Sequence, residues 1–145
     1  MSCHRLCPGI NLEILNARTP GTLPGWYGFQ AVDVAPGRLQ ARMSIRPEML
    51  APNGYLHAAS VIALADTACG FATIAHLPEG AESFTTIELK SNFLGTQREG
   101  VLLCEARAVH TGRNTHVWDA DVHGEDGHPI ALFRCTQMIL WPKSL

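Results

Sequence analysis

Asp66 breaks the pattern of its neighbourhood. It stands in Ile62-Ala63-Leu64-Ala65-Asp66-Thr67-Ala68, where apolar residues occupy nearly every face of a helix. An ionised carboxylate is expensive to desolvate unless partners compensate, so an interior Asp serves either as a structural hydrogen-bond acceptor or as a tuned acid–base group. Spacing alone leaves both readings open. Upstream, His57 stands at the start of the same helix, after Asn53-Gly54-Tyr55-Leu56. The first backbone N–H groups of a helix have no intrahelical acceptor, and they can hold the oxyanion of an acyl-transfer reaction without reorganising. The amide of Ala58, with that of Ala59, is the candidate donor. His57 itself reads either as a cap that fixes the loop or as a direct contact to a substrate carbonyl.

Other chemistries find less support. Ser60 lies one turn into the helix and lacks the strand-to-helix G-x-S-x-G elbow of a serine nucleophile. The glycines spell neither a phosphate-binding loop nor a dinucleotide fingerprint. His4, His76, His110, His116, His123 and His128 have no ligand spacing and are expected on the surface. The five cysteines, Cys3, Cys7, Cys69, Cys104 and Cys135, are odd in number. Three lie in apolar stretches, so reduced thiols are expected, and Cys3-His4 with Cys7 lacks the second cluster a zinc site needs. Eleven basic against thirteen acidic residues give a net charge of -2, with no basic run for a nucleic-acid backbone. The start of the chain carries no export signal, and the most apolar stretch is interrupted by Asp66, so neither a membrane span nor secretion is expected. The cytoplasm is the expected compartment.

The elements that must position Asp66 and His57 follow from punctuation. Residues 1–25 hold Pro8, Pro20, Pro24 and several glycines and read as a loosely structured entry segment, in which the apolar cluster Ile10, Leu12, Ile14 and Leu15 can make one helical turn or two; the folded domain is expected over 26–145. Two β-prone runs, near 27–34 and 38–45, flank Ala35-Pro36-Gly37 and predict a hairpin. Residues 46–55 contain Pro47, Pro52, Asn53 and Gly54 and predict a loop. Residues 57–76 have no Pro and end before Pro78 and Gly80, which predicts one long helix, apolar nearly all round and so buried on most sides. Four β-prone runs follow, near 83–94, 101–111, 115–123 and 129–140, expected as a meander of antiparallel neighbours. The class is α+β, a helix packed on a single antiparallel sheet of five to six strands. One such sheet cannot cover every side of so apolar a helix, so a second copy of the chain is expected to complete the burial.

At this point the residues resemble a known family. The run from Arg46-Pro47-Glu48-Met49 through Leu56-His57-Ala58-Ala59, then Ala63-Leu64-Ala65-Asp66-Thr67-Ala68, is similar to the hot-dog thioesterases of the phenylacetic-acid-degradation type, relatives of one class of 4-hydroxybenzoyl-CoA thioesterases. The strand Thr86-Ile87-Glu88-Leu89-Lys90-Ser91-Asn92-Phe93-Leu94 and the turn His110-Thr111-Gly112-Arg113-Asn114-Thr115 extend the resemblance over roughly residues 25–140. It implies the hot-dog fold, a long helix wrapped by the sheet, with two chains joining their sheets and active sites at the dimer interface; such dimers often pair into tetramers. It implies an acyl-CoA thioesterase for a small, aryl or medium-chain acyl group. Coenzyme A is then part of the substrate, and no separate cofactor is implied. By the same carry-over Asp66 is general base or nucleophile, and the Ala58 amide polarises the thioester carbonyl from the other chain. Thr86 falls where the family has a Ser or Thr near the attacking water, while Lys90 and Arg113 fall where it can meet coenzyme A phosphates.

Two positions depart from the family pattern. The glycine pair after the His is Ala58-Ala59 here, which adds methyl groups where the thioester approaches. The Asn or Gln that relatives place six residues before the His falls at Ala51, with Asn53 two positions later as a substitute only if the loop is shifted. These departures support an alternative, a non-catalytic acyl-CoA binding module on the same scaffold. Phe71, Phe84, Phe93 and Trp118 are candidates for either core or acyl pocket.

Overall fold

The computed structural model describes residues 4–143; Cys3 lies outside them. Two short helices open the chain, α1 (Leu12–Asn16), where a helical turn or two was expected, and α2 (Leu23–Tyr27), which was not, so the entry segment is structured rather than loose. Asn11 caps α1 by accepting from the Ile14 amide, and Leu15 is fully buried, which anchors the segment on the core. The 25/26 division falls inside α2, and Tyr27, expected in a strand, is its last residue.

The hairpin forms as expected from β1 (Gln30–Ala35) and β2 (Arg38–Ser44). Gly37, at φ 75°, takes the left-handed conformation that the tight reversal demands. Residues 46–55 are irregular apart from one 3-10 turn, Pro47–Met49. The long helix is α3 (Ala58–Ala75), flanked by His57 and His76. Four strands follow: β3 (Ser83–Phe93), β4 (Val101–Thr111), β5 (Thr115–Gly124) and β6 (Pro129–Leu140).

All six strands make one antiparallel sheet in the order β1-β2-β4-β5-β6-β3. The expected four-strand meander is therefore corrected. Only β4, β5 and β6 follow one another, while β3 lies at the far edge against β6, and β4 joins the hairpin through β2. The connection 94–100 can reach from one edge past two strands, because seven residues span up to about 23 Å and three inter-strand steps need about 14 Å. This order lets the sheet curl around α3 from both sides.

Alternation sets the inner face: Leu39, Ala41 and Met43 on β2, Leu102, Cys104 and Ala106 on β4, and Trp118, Ala120 and Val122 on β5 are buried. They close on Val61, Leu64, Ala65, Ala68, Cys69 and Ala72 of α3, whose small side chains permit close approach. With a mean hydropathy of 1.6 over 18 residues, α3 is long and apolar enough to cross a membrane; here it is the core helix under the sheet. Trp118 and Phe71 are core residues, whereas Phe93 is exposed at the β3 edge. The expectation of surface histidines fails at His76 and His116, which are buried. His76 caps the inner end of α3, where its Nδ1 meets the Ala72 carbonyl at 2.7 Å and its Nε2 accepts from the Gly37 amide at 2.8 Å. His116 sits at an inward position of β5, where alternation buries its side chain.

Candidate functional site

The start of α3 is an exposed helix terminus built by its own sequence. His57 takes an extended conformation, φ -67° and ψ 137°, and its Nδ1 accepts from the Ala59 amide at 2.9 Å. That contact consumes the Ala59 N–H. The Ala58 N–H finds no acceptor among the described residues, and Ala58 is exposed. Of the two expected donors, Ala58 is therefore the free one. With Nδ1 accepting, the ring N–H lies on Nε2, a second donor at the same terminus. Buried Ser60 donates from Oγ to the Met49 carbonyl at 2.8 Å, which ties the preceding loop to the helix. Asn53 in that loop accepts from the Tyr55 amide at 3.2 Å, so its side-chain oxygen is engaged in its own turn. Ala51 offers no side-chain polar group there.

Asp66 lies two turns further along α3 and is partly buried. Its Oδ1 is shielded from solvent and has no hydrogen-bond partner among the described residues. Burial pushes the carboxyl above the ordinary carboxylate range. The side of α3 that carries it faces the β3 edge. Phe84 of β3 reaches the helix at Gly70, where an added Cβ would stand 3.1 Å from Phe84 Cζ. From Phe84 to Thr86 the strand advances about 6.6 Å toward the start of α3, and from Gly70 back to Asp66 the helix covers about 6 Å. Thr86 is thus level with Asp66.

Thr86 stands just before a β-bulge, a register shift between Thr86 and Glu88, and it donates from Oγ1 to Gln137 Oε1 at 2.6 Å. Gln137 is 0 % exposed. Sequence reasoning passed over Gln137, although its parity with Phe133, Cys135 and Ile139 on β6 marks it as a polar residue on the inner face. The same holds for His116, whose two ring nitrogens are both buried without partners.

The two residues expected to meet coenzyme A lie elsewhere. Lys90 is on the outer face of the sheet, in a groove with Arg107, Asp119 and Arg134, and within one chain it shares nothing with Asp66. Arg113 stands on the β4–β5 turn over the Trp141 ring, 4.1 Å from its centroid. It lines a cavity of about 930 Å³ with Arg5, Cys7, His76 and His116. This cavity is at the end of α3 remote from Ala58, about 26 Å along an 18-residue helix.

A buried carboxylate, a free helix-terminal amide and a helix wrapped by a curled antiparallel sheet define the hot-dog class of thioester hydrolases. The sequence profile of the thioesterase superfamily matches residues 53–131, and the chain belongs to that family. A Pseudomonas aeruginosa protein is 30% identical over 140 residues, 97% of this chain and 95% of its own length. Its crystal structure, described as that of a thioesterase in a glutamine-to-alanine variant, superposes with a TM-score of 0.88 at 29% identity, covering 93% of this chain and 97% of that one. The 1,4-dihydroxy-2-naphthoyl-CoA hydrolase of Escherichia coli is 27% identical over 131 residues, 90% of this chain and 96% of its length. The protein of the E. coli phenylacetic acid degradation operon shares the fold, with a TM-score of 0.76 at 20% identity over 90% of this chain and 96% of that one. The chain is a thioester hydrolase with the hot-dog fold.

Proposed function

We propose that this hydrolase acts on acyl-CoA thioesters of small, aryl or medium-chain acids, as a homodimer or a dimer of dimers, in the cytoplasm. The observation that carries the reading is the Asp66 carboxylate, partly buried with an Oδ1 that finds no hydrogen-bond partner among the described residues, on the side of α3 that faces the open β3 edge.

Within one chain, Ala58 and Asp66 are eight residues apart, about 12 Å of helix, whereas one thioester carbon needs the oxyanion donor and the base each within about 3 Å. A second chain resolves the separation. Strand β3 is paired on one edge only, and its Ile87 and Phe93 are 54 % and 46 % exposed. Antiparallel pairing of two β3 edges about a two-fold axis lays the start of one strand beside the end of the other. The Ala58 amide of one chain then approaches Asp66 of the partner subunit, and the Arg113 cavity of one chain approaches the Ala58 terminus of the other.

In this arrangement Asp66 takes a proton from water as the oxygen attacks the thioester carbon. The Ala58 N–H and the His57 Nε2–H hold the resulting oxyanion. Collapse breaks the carbon–sulfur bond and expels the coenzyme A thiolate, which is protonated, leaving free acid and free thiol. Arg113, with Arg5 beside it, supplies positive charge for the nucleotide phosphates of coenzyme A. Lys90, on the outer face, has a place in coenzyme A binding only where a partner's substrate crosses the joined edge. Asn53 keeps the loop before His57 in register rather than reaching the carbonyl. Free thiols at Cys69, Cys104 and Cys135 suit a reducing compartment. The test is thiol release from a panel of short, medium, long and aryl acyl-CoA esters by the purified protein and its Asp66→Ala variant. Turnover of at least one aryl or medium-chain ester, abolished by the substitution, is expected; equal rates for the two proteins overturn the assignment of Asp66.

A further inference from the structure

A fully buried glutamine is a costly choice for an inner-face position that could carry a Leu or Met. Gln137 projects from β6 between Cys135 and Ile139, beneath α3. Its cross-strand neighbours are Thr86 on β3 and His116 on β5, so three polar side chains form a row across an otherwise apolar face. Its amide is satisfied on both sides: Oε1 accepts from Thr86 Oγ1 at 2.6 Å, and Nε2 donates to Cys135 Sγ at 3.5 Å. Cys135 is buried in the same core cluster as Cys69 of α3, one helical turn beyond Asp66. The two bonds fix which end of the amide faces Thr86.

The direction of the Thr86 bond has a chemical consequence. A hydroxyl has one proton and two lone pairs. With its proton committed to Gln137, Thr86 offers only lone pairs to whatever lies between it and Asp66. A water molecule there can donate one hydrogen to Thr86 and the other to the carboxylate, which turns its own lone pair outward, toward the open edge. Were the Thr86 proton free, the hydroxyl could instead donate to Asp66 or to that water, and either bond would compete with the attack.

We propose that Gln137 is a positioning residue of the hydrolytic site: by accepting the Thr86 proton it fixes the hydrogen-bond polarity between Thr86 and Asp66, so that the attacking water is oriented for deprotonation. This rests on the reading of Asp66 as the base. Gln137 touches no reacting atom; it acts through Thr86.

A double-mutant cycle on kcat tests it, using Thr86→Val, Gln137→Met and the double variant in thiol release from the best acyl-CoA ester of the panel. Each single change is expected to lower kcat about tenfold with KM within a factor of two, and the double variant to be no slower than Thr86→Val. Thr86→Ser, which keeps the hydroxyl, is expected to retain both the rate and its dependence on Gln137. Gln137→Asn draws the amide back by one methylene and is expected to reproduce the Met result, which covers the case in which Met disturbs the core. Multiplicative losses in the double variant, or an unchanged kcat in a folded Gln137→Asn protein, overturn the proposal. Asp66→Asn run alongside separates the two readings: if it keeps the parental rate, the assignment of the base has failed; if it is inactive while the cycle is multiplicative, only the role of Gln137 has.

Discussion

Replacing Asp66 by Asn is expected to make the protein more stable and nearly inactive at once. The carboxylate sits in a helix packed under a sheet, and Oδ1 is shielded without a donor. Leaving a buried acceptor unmet costs about 1–3 kcal/mol, and the amide, equal in shape but uncharged, recovers the low end of that range, about 1 kcal/mol. Unfolding entropy of about 2.1 cal/mol/K per residue gives about 0.3 kcal/mol/K for a chain of this size, so the gain in Tm is about 3 °C. The pH dependence has a definite sign. Burial raises the folded-state pKa of Asp66 above its unfolded value. Below the unfolded value both states are protonated and the cost vanishes; it develops as pH rises and is complete above the folded value. Thermal unfolding at pH 8 should therefore show the gain, and at pH 4 it should shrink. The loss of general base catalysis should lower kcat at least a hundredfold at pH 8, and the difference should narrow at pH 4, where the parent's own carboxyl is protonated. A lower Tm at pH 8 would mean that donors hold the carboxylate in the folded protein, and a rate above one tenth of the parent at that pH would mean that it is not the base; either refutes the reasoning.

His57→Asn keeps a capping side chain but removes the Nε2–H donor, so Tm should stay within about 2 °C while kcat falls about tenfold; an unchanged kcat would leave His57 a cap alone. Arg113→Ala should raise KM for acyl-CoA esters about tenfold and leave KM for the matching acyl-pantetheine ester unchanged, since only the former carries nucleotide phosphates; equal effects on both would remove Arg113 from the nucleotide site. Burial lowers the His116 pKa to about 4, from 6.5. The unfolded chain binds that proton first, so stability falls as pH drops from 6.5 toward 4, by about 1–2 kcal/mol once solvent screening is allowed for. His116→Phe should abolish this acid limb in denaturant titrations, and a limb that survives would assign it to other groups. Ile87→Lys places a charge at the open β3 edge and should give a monomer by light scattering with no thiol release; a monomer that retains turnover would show that one chain holds a complete site.

The parts of this molecule that were legible from its sequence are those fixed by local chemistry. Proline and glycine bracket α3 so sharply that its ends fall within one residue of His57 and His76, and Ala35-Pro36-Gly37 announces its own reversal. Asp66 declared itself because one charge among alanines and leucines needs no partner list to be conspicuous. Pairing across the sheet was not legible in the same way. Whether β3 sits beside β4 or beside β6 is decided by how the sheet closes around the helix, and the loop over residues 94–100 is compatible with both. The turn of helix at α1 was legible in its apolar cluster, but α2 and the docking of the segment were not: its prolines and glycines argue for a loop, while the burial of Leu15 that holds it is a tertiary contact.

The same distinction explains why half of the site stayed hidden. His57, Ala58 and Asp66 lie on one helix and are found by counting along it. Thr86 and Gln137 are 51 residues apart and meet only because β3 crosses to β6 at the bulge. Residues that act through sequence-distant neighbours leave one trace in the sequence, a polar side chain at an inward parity of an apolar strand. Gln137 and His116 both carry that trace, and both turn out to be fully buried. A satisfied polar group in a core is at best neutral for stability against a well-packed apolar one, so folding alone gives no reason for its presence. His116, whose ring nitrogens have no hydrogen-bond partner among the described residues, lines the cavity beside Arg113. Gln137 accepts from the opposite end of the row, where the Thr86 hydroxyl meets the open edge. The polar row thus links the two ends at which a substrate shared between subunits would be held.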